Sequence, residues 1–508
     1  MISHCKGRRE GACARRVWSR LRWALVGAGL PLLWACNANP LVAPTQDPTR
    51  VTTQVFPASL NNKLDVLFMV DNSSSMAPLQ NKLVAQFGSF MDPLKTVLTP
   101  DGSGVALPDI HVAVVSSDTG PGKFRDAGGC HFGGDHGQFQ FLPGGTCTKP
   151  PLHTTPTQQT FLSASMNQTV TNYDGDISAA FSCIAELGDK GCGFEGQLKS
   201  VRWALDPFNV PQGNEGFLRD DAALAVVLIT NEDDCSVPDD SDLADPTQLR
   251  MADPLGPFQS YRCNEFGHLC NINGRMQPPP RGTPADHLQG CVSNEDQIPT
   301  PTAPSGLLTK VGDEVAFLKG LKTDPSRIVV AAITGLPTDY SVEMVPGQFE
   351  DIPNVKHSCM SPSGDYADPA VRLQQWVNAF GNHGIAESIC LDTLNQPLVD
   401  IANLIKLNLG PQCVSGQLMD KDPSTPELDP ECQVIDVYTD AQKQQHQTAL
   451  QACAVNATPP CWTLVDDAKC PGAKKLDVTR DGGALPDGLS TSISCSLCIA
   501  GVARPGCP

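Results

Sequence analysis

At 508 residues with 40% hydrophobic side chains, the chain is long enough for more than one domain and for a sizeable core, as in an ordinary globular protein. A formal charge of −19 argues against nucleic acid or anionic lipid as partners and suits cation binding and solubility. With 44 Gly, 44 Pro and only 6% aromatic residues, long ordered loops between core elements are expected, not a compact helical bundle.

The first 35 residues do not belong to the fold. Lys6, Arg8, Arg9, Arg15, Arg16, Arg20 and Arg22 form a basic region ahead of the 13-residue apolar run Trp23 to Ala35, which stands directly before Cys36. This is the layout of a secretory signal, and the run is shorter than the roughly 20 residues that span a bilayer. The adjacent Arg15 and Arg16 lack the flanks of a twin-arginine signal. Leu33-Trp34-Ala35-Cys36 resembles the bacterial lipobox. That resemblance implies a diacylglycerol and an N-acyl chain on Cys36, enough for stable anchoring, with the polar stretch from Asn37 as a tether within residues 36–61. Asn37 in place of a retention Asp tilts the expected location toward the outer membrane of a Gram-negative cell. The alternative is plain secretion with cleavage nearby.

Cysteine usage supports export. Of 21 cysteines, Cys5 and Cys13 leave with the signal and Cys36 carries lipid, leaving 18, an even number that allows up to nine disulfides in an oxidising space. Loss of the signal's seven basic residues and Glu10 moves the net charge from −19 to −25.

Beyond the tether, strand-like and helix-like segments alternate, which predicts an α/β domain with a doubly wound, mainly parallel sheet over 62–412. "LDVLFMVD" from Leu64 is a buried strand, and Ser75 to Leu94 is a helix with Leu79, Leu83, Phe87 and Phe90 at helical spacing. Residues 109–118 form a second strand, followed by a Gly-rich loop whose Cys130 and Cys147 are spaced to close it as a disulfide. Helices are expected over 176–188 and 194–205, then the most apolar strand, 222–230, as a parallel central strand should read. From Cys235 to Cys291 the chain is rich in Pro, Asp and Cys with little periodicity, and predicts a disulfide-tied insertion over about 235–305. Alternation resumes with helix 312–322, strand 327–334, helix 368–381, short strand 384–390 and helix 397–409. From Cys413 there are eight cysteines in 96 residues and many turn signals, marking a small Cys-rich C-terminal module (413–508) held by bridges more than by a core.

In an open parallel sheet, ligands bind outside the carboxyl ends of the strands. Asp71 follows the first strand directly, and Asp71, Ser73 and Ser75 at alternate positions of a strand-to-helix turn can aim three oxygens at one point. An all-oxygen shell suits a hard divalent cation, Mg²⁺, Mn²⁺ or Ca²⁺. The bland alternative is that Ser73 to Ser75 cap the helix while Asp71 accepts backbone bonds.

"LDVLFMVDNSSSM" and "VVLITNEDDCS", with the order of elements between them, resemble a von Willebrand factor A-like (VWA) domain with a metal-ion-dependent adhesion site (MIDAS). More narrowly, "GCGFEGQLKSVRWAL", "NEDDCS" and "SIC" resemble exported, Cys-rich bacterial versions of that domain. The resemblance implies that Asp71, Ser73 and Ser75 bind the metal. The family's second-loop Thr falls on Cys192, which that alignment suggests is bonded to Cys183, and Glu195 in the same turn is a substitute oxygen donor or a helix N-terminal acid. The third-loop Asp falls on Asn231, which offers an oxygen without charge, with Glu232, Asp233 and Asp234 beside it. The expected metal set is therefore Asp71, Ser73, Ser75 and Asn231, with Glu195 and Asp233 as further candidates. The metal in this family bridges to a carboxylate of a protein or cell-surface ligand, so binding without turnover is implied.

Other signals are weaker. Cys495 and Cys498 have redox spacing but no strand-helix context, and read as structural. Cys263, His268 and Cys270 have zinc-like spacing, but an oxidising compartment favours a disulfide there. The acidic stretch 239–246 lacks the Gly and Glu of a calcium loop and reads as solvated. No catalytic motif stands in a suitable context, so an enzyme is not expected. The main alternative is a structural cell-envelope protein that keeps the fold without the metal, as Cys192 and Asn231 would suggest.

Overall fold

The computed structural model describes residues 49–507 except 58–61, 99–104, 146, 148–151, 154–158, 296–305, 323–324, 410–413, 415, 425–427, 440–443, 467–473, 481–488 and 499–504. The signal, Cys36 and the tether as far as residue 48 lie outside the described residues, as do Cys413 and Cys470.

The fold is mixed α/β with a mainly parallel central sheet and a separate Cys-rich C-terminal sheet. In chain order the first strands are β1 (Thr49–Pro57), β2 (Lys63–Val70), β3 (Asp109–Ser116), β4 (Leu162–Ala164), β5 (Ala223–Ile229), β6 (Ile328–Thr334) and β7 (Gly384–Ser388). The central sheet runs β7-β6-β5-β2-β3-β4, parallel throughout except for the antiparallel edge strand β4. The helices are α1 (Ala77–Leu94), α2 (Ile177–Ala185), α3 (Gln197–Leu205), α4 (Tyr261–Gly267), α5 (Val311–Gly320), α6 (Val371–Asn378) and α7 (Asn395–Leu409).

Why these segments become strands is visible in β2. It is buried on both sides, so its apolar residues divide by alternation between two cores. Leu64, Val66, Phe68 and Val70 face one cluster with the buried residues of α1, α2 and α7. Leu67 and Met69 face the other, with Leu198 and Val201 of α3, Leu318 of α5 and Trp376 of α6. Phe68 meets Phe87, Phe90 and Phe181 edge-on at 5.6, 5.2 and 4.9 Å between centroids, which locks α1 and α2 over the sheet.

Sequence and structure agree on these elements to within a few residues, and differ elsewhere. β4 and the antiparallel hairpin Val342–Pro346 with Asp351–Val355 are too short and mixed to read from periodicity. The insertion is ordered: α4 leads into an antiparallel sheet in which His268–Ile272 lies between Arg275–Gln277 and Gln289–Ser293. Eight disulfides are present among the described residues, which places the protein in an oxidising environment. Their pairing corrects three expectations. Cys130 bonds Cys192 and Cys147 bonds Cys183, so neither Cys130–Cys147 nor Cys183–Cys192 exists, and Cys263 and Cys270 bond Cys235 and Cys291 instead of each other. The reason is shared: packing, not proximity along the chain, brings half-cystines within reach.

The C-terminal part contributes β8 (Cys432–Thr439), β9 (Gln445–Ala452), β10 (Cys461–Asp466), β11 (Lys474–Thr479) and β12 (Ser490–Cys498). These form a sheet of order β1-β12-β8-β9-β10-β11 around Val434, Leu450, Trp462, Leu476 and Ile493, so it has a small core as well as bridges. Its edge strand is β1, paired antiparallel with β12 over its whole length from Thr49↔Cys498 to Pro57↔Ser490. The stretch expected to be tether is thus a strand over 49–57. Among the described residues, no helix is long and apolar enough to cross a membrane.

Candidate functional site

Asp71 extends the ladder one residue past β2, its N–H donating to Ile229 O at 2.9 Å, and its side chain is fully buried. Oδ1 accepts from Ser73 N at 2.8 Å and Ser117 Oγ at 3.1 Å, while Oδ2 accepts from Thr230 Oγ1 at 2.6 Å. The Asp71–Ser73 bond tightens the turn. It also turns both serine side chains inward, where Ser73 Oγ lies 3.4 Å from Ser75 Oγ and Ser75 Oγ donates to Asn231 Oδ1 at 3.1 Å. Asn231 Nδ2 is committed to Tyr366 O at 3.2 Å, which leaves its oxygen toward the serines. Half of the bland alternative holds, since Asp71 accepts a backbone bond from Ser73; the capping half does not, because the residue that caps α1 is Met76, with no side-chain cap hydrogen bond. The fold therefore brings Asp71, Ser73, Ser75 and Asn231 together at the carboxyl ends of β2 and β5.

Glu195 belongs to the same neighbourhood. The turn before α3 is pinned by Gly196 N donating to Ser117 O at 2.9 Å and Cys235 N donating to Glu195 O at 2.8 Å. These bonds carry the Glu195 side chain inside, where it is 2% exposed and Oε1 has no hydrogen-bond partner. Thr119 Oγ1 and Gln197 Oε1 are also buried without partners, although Gln197 Nε2 reaches Thr230 Oγ1 at 3.2 Å. Burial pushes the Glu195 carboxyl well above its ordinary range, and the charges of Glu232 and Asp71 push it further. Burial and then Asp368 and Asp71 raise Glu232 to about 8. Burial likewise raises Asp71, against the bonds from Thr230, Ser73 and Ser117. As ionised groups these acids repel one another; a shared proton or a cation relieves them.

Asp233 does not join this set. Its Oδ2 accepts from His268 Nε2 at 2.7 Å and from Arg372 N at 2.8 Å, and its Oδ1 accepts from Leu373 N at 3.1 Å, so it caps α6. Burial alone would raise its pKa, but these bonds and the His268 and Arg372 charges hold it below the usual range. His268 is accordingly a partner of Asp233 and of Tyr340 at 2.8 Å, not a zinc ligand with Cys263 and Cys270. Cys192, which the resemblance aligns with a ligand Thr, is sealed in its bond to Cys130, and its side chain offers no oxygen.

Sequence reasoning missed Ser117, Thr230 and the orientation of Glu232. The first two were findable, because each is a hydroxyl at the carboxyl end of a strand adjacent to β2. Whether the residues fit a divalent cation is answered by the donors: a carboxylate, two hydroxyls and an amide oxygen within mutual reach, with further acids and unpartnered oxygens around them. They fit, through oxygens alone; among the described residues no group of three or more His, Cys, Asp or Glu is arranged to hold a metal.

No protein-family model matches the sequence, and no curated protein matches it. Solved structures similar at low identity include the following three. The pilus adhesin SpaC from Lactobacillus rhamnosus GG, in its open conformation, is 10% identical with a TM-score of 0.27, covering 91% of this chain and 44% of that one. Proximal thread matrix protein 1 from the mussel byssus is 11% identical with a TM-score of 0.25, covering 70% and 48%. The human COPII-coat protein Sec24c is 9% identical with a TM-score of 0.28, covering 87% and 42%. The chain spans less than half the length of each.

Proposed function

We propose that the protein is an exported, lipid-anchored binding protein whose 62–412 region is a VWA-like domain carrying a MIDAS-like divalent-metal site. One observation carries the reading: Ser73, Ser75 and Asn231 turn their oxygens toward one another beside buried Asp71, at the carboxyl edge of the sheet, without capping α1. Further support for a doubly wound domain is the strand order, with α1, α2 and α7 on one face and α3, α5 and α6 on the other.

Asp71, Ser73, Ser75 and Asn231 would hold Mg²⁺, Mn²⁺ or Ca²⁺, and Glu195 and Glu232 would supply the negative charge that Asn231 lacks. When bound, the ion offers a coordination position to a carboxylate of a protein or cell-surface ligand. Asp71 sets the turn, and Thr230 and Ser117 hold its carboxylate in place by donating to it. The role is binding, not turnover. The membrane connection is the acyl group on Cys36, in the envelope of a Gram-negative cell and on its outer membrane, with the Cys-rich module at 413–508 as an accessory.

A second reading, a structural envelope protein that takes no metal, is favoured by the Cys130–Cys192 bond at the second-loop position and by the neutral Asn231. Calorimetric titration of Mg²⁺, Mn²⁺ and Ca²⁺ into the oxidised protein separates the two. We expect binding that is lost in Asp71→Ala and in the double variant Ser73→Ala/Ser75→Ala. Metal binding unchanged in both variants would sink the proposal.

A further inference from the structure

Near the carboxyl end of α3 a cleft of about 520 Å³ opens between three segments. The Gly-rich loop after β3 lines it with His136, α3 and the turn that follows with Trp203, Asp206, Asn209 and Gln212, and the loop after β5 with Asp239. Its volume lies within the range of about 300–1,000 Å³ that small-ligand sites occupy. Two of the walls are fixed to each other by one buried side chain. Asn214 Nδ2 donates to Gly137 O at 3.0 Å and to Ala204 O at 3.2 Å, and its Oδ1 accepts from Phe139 N at 3.0 Å. The approach there is close: a Cβ on Gly137 would stand 2.6 Å from Trp203 Cβ. His136 has a φ of +54°, a left-handed conformation uncommon for a residue with a side chain, and its ring stacks at 6.0 Å on that of Trp203.

The lining selects the chemistry of a ligand. Lys199 Nζ stands 4.4 Å from the Trp203 ring centroid and donates to Asp239 Oδ1 at 2.7 Å, so the cation position over the indole is filled by the protein itself. An organic cation would meet that ammonium, and an acid would meet the Asp206 carboxylate. Asp206 accepts from Phe208 N at 2.9 Å and from Asn209 Nδ2 at 3.0 Å, which leaves Asn209 Oδ1 to a ligand. Gln138, also in the lining, commits Nε2 to Gln212 O at 3.2 Å and keeps its Oε1 in the same way. Among the described residues, the Trp203 indole N–H and the Gln212 side chain make no hydrogen bond. Oxygens that accept, N–H groups that donate and a flat apolar ring meet the needs of a sugar. Its hydroxyls each donate and accept, and its C–H face packs on an aromatic one.

We propose that this cleft binds an uncharged oligosaccharide, with the exposed part of the Trp203 ring against one sugar ring and the amides of Gln138, Asn209 and Gln212 bonded to its hydroxyls. Equatorial hydroxyls are favoured, because they leave the faces of the sugar flat for stacking. Phe208, 90% exposed on the turn between Asp206 and Asn209, offers a second ring to a neighbouring sugar. None of the residues that line the cleft is a candidate metal ligand, so the saccharide site stands or falls independently of the metal site.

The test is calorimetric titration of cellotriose, triacetylchitotriose and, as the charged counterpart, trigalacturonate into the oxidised protein without added metal. Wild type is compared with Trp203→Ala, with Asn209→Ala/Gln212→Ala and with Ser73→Ala/Ser75→Ala, and near-ultraviolet circular dichroism confirms folding. Asn209 and Gln212 are exposed, so their double variant is expected to fold and carries the test alone if Trp203→Ala does not. We expect at least one of the two uncharged trisaccharides to bind, and both cleft variants to weaken it by about tenfold or more. The serine pair is expected to leave that binding unchanged, even if it abolishes the binding of metal. Failure of both uncharged trisaccharides to bind at millimolar concentration overturns the proposal. Unchanged affinity in a folded cleft variant, or trigalacturonate bound as tightly as the uncharged sugars, overturns it too.

Discussion

Gly196 shows how closely the loops around the acids approach one another. A Cβ there would stand 2.2 Å from Thr119 Oγ1, nearer than side chains tolerate, and 3.2 Å from Thr119 Cβ. Gly196→Ala must therefore push Thr119 aside, and overpacking of this kind costs about 1–3 kcal/mol. Because Gly196 N donates to Ser117 O and Ser117 Oγ donates to Asp71, the displacement reaches the candidate ligand. Thr119→Ala removes the clashing hydroxyl, which has no hydrogen bond to lose. The double variant is expected to regain most of the stability in denaturant titrations at intact disulfides; an equal loss in single and double variants would refute the steric account. Glu232 and Asp233 carry a second lesson at this scale. Sequence reasoning favoured Asp233, yet in an irregular loop successive side chains diverge. Which acid turns toward Asp71 is decided by His268 and the start of α6, both far away in sequence.

Elements are joined at this site by buried charge. Arg372 at the start of α6 contacts Asp234 through Nε at 3.2 Å and Nη2 at 2.9 Å, and donates to Thr309 O at 2.8 Å. Asp234 in turn accepts from Leu198 N at 2.9 Å, at the start of α3. One ion pair thus ties two helices on the same face to the loop after β5. Arg372→Met keeps the volume but strands the Asp234 charge, a loss of about 3–5 kcal/mol for a broken buried pair. A fall in the unfolding midpoint is the expected readout; a shift no larger than for an exposed Arg→Met substitution would contradict the role assigned to the pair. The α/β elements were legible in the sequence because burial on one or both faces writes itself as apolar runs and helical spacing. β1 was not, since "TRVTTQVFP" is polar and its partner lies at the far end of the chain. Disulfide pairing was hidden for the same reason. The first loop of the site, Asp71 to Ser75, was legible as a local motif, whereas Glu232 joins it only through the packing of separate loops.

Across the whole molecule, two sheets with separate cores are stitched by the chain itself: β1 belongs to the C-terminal sheet, and β2, a few residues on, to the central one. Removing 49–57 uncovers the edge of β12 and the contact with Pro325–Arg327 ahead of β6, but leaves every strand pairing of the central sheet in place. We expect hydrogen exchange to accelerate in β12 and β8 while β2 and β5 stay protected. Acceleration in both sheets alike would show instead that they unfold as one unit. The register of β1 against β12 also sets a clock. Chains emerge at about 5–20 residues per second, so β1 leaves tens of seconds before Ser490–Cys498 exists. Throughout that interval it is a strand without a sheet, while β2 can already pair with β3 and then β5. The earliest of the described strands to be made is among the last to find its place, because the Cys-rich sheet is completed only once Ser490–Cys498 has been made.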